Sequence, residues 1–273
     1  MGKKTDEEIF FELMPDFKIW YKVILLYAFQ IILFVLVIFF YYWMSSNFWY
    51  GAIAGQTIVS ILLVFHFIYL ANNAGKIGTK YRRKFGKLAI QKFWYNYQSY
   101  TIPIICIAFY FPLFLIKLDF LPTIITVPDH FLNNSIFPFF FSFLIGLFLI
   151  FFGIMIKRRS RDYSADVDNY LNIVYPEKSQ LITKDVYQYI RNPQYLARGL
   201  ISIGFGFIAT TYSAVLVGLI HFLSYVAIIP AEDNELARRF GDDFRSYNER
   251  VPALIPRYGS WRNFLKFVFV GKK

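Results

Sequence analysis

The stretch Leu200–Ile229, LISIGFGFIATTYSAVLVGLIHFLSYVAII, decides how this chain is arranged. It carries no Asp, Glu, Lys or Arg. It is too long for one upright crossing of a bilayer and too short for two full crossings at about 20 residues each. Both flanks are basic: Arg191 and Arg198 precede it, and Arg238, Arg239, Arg245 and Arg250 follow it. Basic flanks hold their segments to one side of a membrane, so the chain must enter and come back. The segment ATTYSA, Ala209–Ala214, offers the turn. The reading is therefore a tight helical hairpin over 200–229, which returns residues 230–250 to the face occupied by residues 191–199.

The rest of the chain agrees with a membrane setting. Of its 273 residues 57% are apolar and only 17% charged, against about 45–50% apolar in ordinary soluble domains. Apolar runs long enough to span lie at Ile19–Trp43, Ala52–Leu70, Tyr100–Ile116 and Phe137–Ile156. Between the second and third, AGKIGTKYRRKFGKLAIQK holds Lys76, Lys80, Arg82, Arg83, Lys84, Lys87 and Lys92 and no acid; KRRSR, Lys157–Arg161, closes the fourth. The positive-inside rule puts both on the cytosolic or equivalent side. Residues 44–51 and 117–136, on the opposite side, hold Lys117 as their only basic residue. The N-terminus, with acids before any apolar run, reads as a retained tail rather than a cleavable signal.

After the hairpin, Leu236, Phe240, Phe244, Tyr247 and Val251 recur at helical spacing, predicting one amphipathic interfacial helix that Pro252 and Pro256 stop. Trp261 with KFVFVGKK reads as an interfacial anchor. The expected fold is an all-α polytopic membrane bundle: four spanning helices, a C-terminal hairpin and that amphipathic helix. Residues 1–130 form an N-terminal transmembrane part and residues 131–273 a second membrane domain. The single Cys106 excludes an intrachain disulfide, and one Cys with three scattered His (His66, His130, His221) implies no metal. His66 and His221 read as packed core residues. No Rossmann-type glycine fingerprint follows a strand-like segment, and Gly204-Phe205-Gly206 reads as close helix packing.

Two polar clusters remain, one at each end of the hairpin: DVYQYIRNPQY, Asp185–Tyr195, and AEDNELARRFGDDFRSYNERVP, Ala231–Pro252. Each has an ordinary explanation. Pro193 suits a first helical turn, acids such as Glu232 and Asp233 complement a helix dipole, and arginines snorkel toward lipid phosphates.

Together the two clusters say more. LITKDVYQYIRNPQYLARGL, Leu181–Leu200, resembles the signature L-x-x-x-G-P-Y-R-Y-x-R-H-P-x-Y of the isoprenylcysteine carboxyl methyltransferase and phospholipid N-methyltransferase superfamily. EDNELARRFGDDFRSYNERVPALIP resembles that family's second motif, two acids followed by L-x-x-x-F-G-x-x-Y-x-x-Y. The resemblance covers Leu181–Pro256. It implies a helical membrane enzyme that binds S-adenosylmethionine at its cytosolic end and methylates a lipid or prenylated acceptor entering from the bilayer. Carried over by residue, it makes Tyr187, Asn192, Tyr195, Glu232 and Asp233 candidate cofactor-binding residues, with Asn192, Tyr195 and Glu232 nearest. Arg191 and Arg250 are candidates to hold an acceptor carboxylate or phosphate, for which a guanidinium fork is suited.

This chain departs from the pattern at two places. Asn192 stands for the histidine, and Asp185-Val186 for Gly-Pro. A second reading is therefore a catalytically degenerate relative serving as a structural subunit of a membrane complex, in an organellar or respiratory membrane for example. A third is an NADPH-dependent sterol-type reductase, which shares an R-x-P-x-Y and a terminal V-P-x-x-I-P layout; Glu232, Asp233 and Leu236 fit the methyltransferases better. Membrane lipids are expected partners, with complex subunits under the second reading and no nucleic acid under any. The sequence leaves open whether the membrane is endoplasmic reticulum, mitochondrial inner, or bacterial or archaeal plasma membrane.

Overall fold

The computed structural model describes residues 6–116, 124–125, 134–136, 138–160, 173–176 and 179–271. Within them the chain is an all-α polytopic bundle. The helices are α1 (Asp6–Leu13), α2 (Trp20–Asn47), α3 (Gly51–Phe85), α4 (Ala89–Tyr97), α5 (Thr101–Phe114), α6 (Phe139–Ser160), α7 (Pro193–Ile208), α8 (Tyr212–Phe240), α9 (Asp242–Arg250) and α10 (Trp261–Val270). Lys117, Arg161, His130 and the Lys272-Lys273 pair, named above from the sequence, lie outside the described residues.

The exterior is that of a protein solvated by lipid. On α2 the side chains of Ile24, Leu25, Ile31, Ile32, Val35, Leu36 and Phe39 are all exposed, an apolar surface that water would not tolerate but a bilayer does. Among the described residues four helices are long and apolar enough to cross: α2, the Gly51–Tyr97 run containing α3, α6, and α8. The number agrees with the sequence reading; the membership does not. Tyr100–Ile116 was expected to span, but α5 has 14 residues, about 21 Å of helix against a hydrocarbon core of about 30 Å. In its place α8, the second arm of the hairpin, is long and apolar enough to cross, with 29 residues.

The hairpin forms, with a turn at Ala209–Thr211 inside the expected ATTYSA segment. Its arms extend past the apolar run, from Pro193 and to Phe240, because the polar residues at both ends are themselves helical. Glycine brings the arms together. A Cβ on Gly218 would sit 2.5 Å from the Ser202 carbonyl oxygen, and one on Gly206 2.6 Å from that of Ala214. Gly204 performs the same service toward α6, 2.9 Å from the Gly146 carbonyl, so the GFG run is a packing device as read.

α7 is the centre of the bundle. It packs on α6, α8 and α5, and α8 packs on α3. At the turn end the core holds Tyr41 stacked on Phe111 with ring centroids 3.8 Å apart, and the buried Tyr41 hydroxyl donates to Gln56 Oε1 at 2.7 Å. At the charged end Ile156, Val186, Ile190, Ala197, Phe264 and Val268 form a second core that carries the polar cluster. α10 contributes Phe264 and Val268 to it, so the C-terminal segment is docked on the bundle and not only laid on the lipid surface.

The single amphipathic helix expected over Leu236–Val251 is two helices. Gly241, at φ 57° and ψ −130°, breaks it between α8 and α9, a conformation that glycine alone adopts readily. The apolar stripe survives the bend: Phe244, Tyr247 and Val251 pack with Leu236, Ala237, Phe240 and Leu181.

Candidate functional site

The hairpin brings the two polar clusters into contact. Asn192 is the residue before α7 and Pro193 starts the helix, its missing N–H costing nothing in a first turn. Two backbone hydrogen bonds fix this corner from outside. The Arg191 N–H donates to Pro252 O and the Asn192 N–H to Ala253 O, both at 2.9 Å. The VPALIP segment thus clamps the RNP turn as well as ending α9.

From this corner Arg191 reaches across to α8. Its Nη2 lies 2.6 Å from Asp233 Oδ2 and its Nη1 donates to Val251 O at 2.5 Å. Its Nε is buried and has no hydrogen-bond partner among the described residues. Such a donor is rare in a finished interior. One turn into α7, the Tyr195 hydroxyl donates to Glu232 Oε1. The Tyr195 ring stacks on Tyr225 of α8 with centroids 5.0 Å apart at 16°. The Arg198 guanidinium lies 5.9 Å from the Tyr225 ring centroid, close enough for a cation–π contact.

Beneath the cluster Tyr187 and Tyr247 tie the wall together. The Tyr247 hydroxyl donates to Tyr187 O at 2.6 Å. Burial pushes both hydroxyls above the ordinary phenol range, with the nearby Arg191 working against it at Tyr247. Asp185, where the signature has glycine, is buried and sits at φ 61°. This is left-handed backbone, which favours glycine, and it is held here by aspartate, one of the few side chains that tolerate it.

Of the sequence-predicted residues, Arg191 pairs with Asp233 and Tyr195 with Glu232; Asn192, next to Arg191, is bonded to Ala253 O, and the Tyr187 carbonyl accepts from Tyr247. Arg250 joins neither pair: the side chain is exposed on α9 and its Nε donates to Ser246 O of its own helix at 3.0 Å. Three partners escaped the sequence reading: Tyr225 and the carbonyls of Pro252 and Ala253. Tyr225 lies within an apolar run, and its signal is its position seven residues before Glu232, which puts both on one face of α8. The two carbonyls have no sequence signal at all. His221, read as a core histidine, is buried, with Nε2 3.2 Å from the Tyr225 hydroxyl.

Fold and cluster define an integral, multi-pass membrane protein with a polar site at one end of its bundle. Residues 141–243 match the family model described as phospholipid methyltransferase. That region is similar to the membrane methyltransferases which the two motifs resemble, and residues 1–140 and 244–273 lie outside the match. No curated protein and no solved structure matches the chain.

Proposed function

We propose that this protein transfers a methyl group from S-adenosylmethionine to a lipid or lipidated acceptor at the charged end of the bundle. The observation that supports it best is the meeting of both motifs through Arg191–Asp233 and Tyr195–Glu232. A helix start and a helix end that merely obeyed local capping rules would have no reason to pair across the hairpin.

The residues present suit such a cofactor. Its sulfonium and amino groups are cationic, which the Glu232 and Asp233 carboxylates and the faces of Tyr195 and Tyr225 favour. Its carboxylate calls for a donor of the kind that Arg191 Nε offers. Bound there, it would supply an electrophilic methyl group, which moves to an acceptor heteroatom by in-line displacement. What the chain contributes is alignment and exclusion of water. Pro252 and Ala253 hold Asn192 in place, the Arg191–Asp233 pair fixes the distance between α7 and α8, and the Tyr195–Tyr225 stack closes the side toward the core.

A second reading is supported by a specific feature. Arg191 with Asp233, and Tyr195 with Glu232, satisfy each other directly, and a buried Asp185 side chain occupies the glycine position of the signature. A degenerate relative kept as a structural subunit would look like this. The two readings part on calorimetric titration of the detergent-solubilised protein with S-adenosylmethionine and with its demethylated product. The enzyme reading expects micromolar binding that Glu232→Gln weakens at least tenfold, about 1.4 kcal/mol; no binding to a folded wild-type protein supports the structural subunit.

A further inference from the structure

We infer that the exposed face of α3 beyond the apolar part is a second ligand site, one that holds an anionic lipid headgroup at the membrane surface. It lies in the part of the chain outside the family match and is independent of the methyltransferase reading. α3 does not end where its apolar run ends at Leu70; it continues unbroken to Phe85. In that extension Ala74, Ile77, Gly78 and Tyr81 are buried against the bundle. The opposite face presents Lys76, Lys80, Arg83 and Lys84, all exposed, at spacings that stack them on one side. With Gly75 and Thr79 they line an open concavity of about 640 Å³. Gly75 leaves its floor clear, since a Cβ there would meet nothing within 4 Å.

Among the described residues the charges are uncompensated. None of the four forms an ion pair among the described residues, and residues 71–92 contain no acid. Like charges three and four residues apart repel on a helix, so this face is arranged for an external anion. The level of the face indicates which anion. α2 and α3 are neighbours joined by the short turn at 48–50, and both rise about 1.5 Å per residue. Trp20, at the start of α2 and 75% exposed, therefore stands level with about Gly78. Exposed Trp and Tyr, here Trp20 and Tyr21, mark the headgroup layer. Lys76 and Lys80 flank that level and Arg83 and Lys84 lie just beyond it, where a lipid phosphate is in reach. Arg238 of α8 donates to Ala71 O at 2.9 Å, which ties this face to the end of the bundle that carries the candidate site.

The test is native mass spectrometry of the full-length protein in detergent, titrated with phosphatidylglycerol, phosphatidylcholine or sn-glycerol 3-phosphate. Lys80→Gln/Arg83→Gln is compared with wild type and with Lys184→Gln/Arg245→Gln, which removes two exposed charges away from α3. Each cation lost should weaken anionic-lipid binding about fivefold, so the α3 variant should bind phosphatidylglycerol at least about tenfold more weakly while the control variant matches wild type. Raising the salt concentration should weaken binding to the wild-type protein, a readout that needs no variant. The inference is overturned if phosphatidylcholine binds as well as phosphatidylglycerol, if the α3 variant or added salt changes nothing, or if glycerol phosphate alone competes at equal concentration, which would make the site one for a soluble phosphate.

Discussion

The Arg191 guanidinium and the Asp233 carboxylate, 42 residues apart in sequence, are 2.6 Å apart in space, with side-chain exposures of 9% and 20%. This pair closes the hairpin at its charged end. Removing one partner of a buried pair strands the other, at about 3–5 kcal/mol. Because Asp233 keeps some contact with solvent, Asp233→Asn is expected to cost about 3 kcal/mol, the low end of that range. Arg191→Lys should be nearly as damaging, since a lysine cannot reach Asp233 and Val251 O together. Denaturant unfolding in detergent measures both; a loss under about 0.5 kcal/mol, typical of surface pairs, would show that the pair is not structural.

The close approach of α7 and α8 makes its own prediction. Gly218→Ala places a methyl against the Ser202 backbone, which has no rotamer by which to yield. Overpacking of this kind costs about 1–3 kcal/mol, and it should separate Tyr195 from Glu232. Gly75→Ala, facing open space, should be neutral or slightly stabilising through helix propensity. Equal thermal midpoints for the two variants would contradict the packing described.

Asp185 tests the signature position. At φ 61° alanine is worse than glycine by about 1 kcal/mol, so Asp185→Gly should be the more stable of the two variants. If the site binds S-adenosylmethionine, Asp185→Gly restores the pattern's residue and should tighten binding, whereas Asp185→Leu should abolish it. Calorimetry on the three variants decides this, and an order in which alanine beats glycine would refute the backbone argument.

Tyr247 gives the site wall a pH dependence. Its hydroxyl is held above the usual phenol range by burial, so the neutral form is favoured in the folded protein. Stability from this group is therefore complete below about pH 10, the unfolded value, and is lost as pH rises toward the folded value. Wild type should exceed Tyr247→Phe in thermal midpoint at pH 8, and the gap should shrink above pH 10. A gap that stays constant from pH 8 to 11 would show that the Tyr247–Tyr187 hydrogen bond does not titrate.

The hairpin was legible because charge and length constrain it jointly: an uncharged run between basic flanks has few other arrangements. The meeting of the Arg191–Tyr195 corner with the Glu232–Asp233 corner followed from that return. The end of α5 was not legible, because an apolar run reports its composition and not where its helix stops. Nor was the break at Gly241, since the stripe from Leu236 to Val251 keeps its spacing through the bend. The pairing of Arg191 with Asp233, and the turn of Arg250 away from the cluster, depend on side-chain direction, which residue type does not encode. The backbone acceptors at Pro252 and Ala253 are invisible to any reading of side chains.

The central claim is that both motifs form one working site for methyl transfer to a lipid-type acceptor. Its most direct test is to incubate the purified protein in lipid nanodiscs with methyl-labelled S-adenosylmethionine and count label in the extracted lipid. The account predicts label transferred by wild type and lost by at least about a hundredfold in Glu232→Gln, the scale on which one positioned catalytic contact acts. Transfer that persists undiminished in folded Glu232→Gln, or no label in any lipid extract offered to a wild-type protein that binds the cofactor, would contradict it.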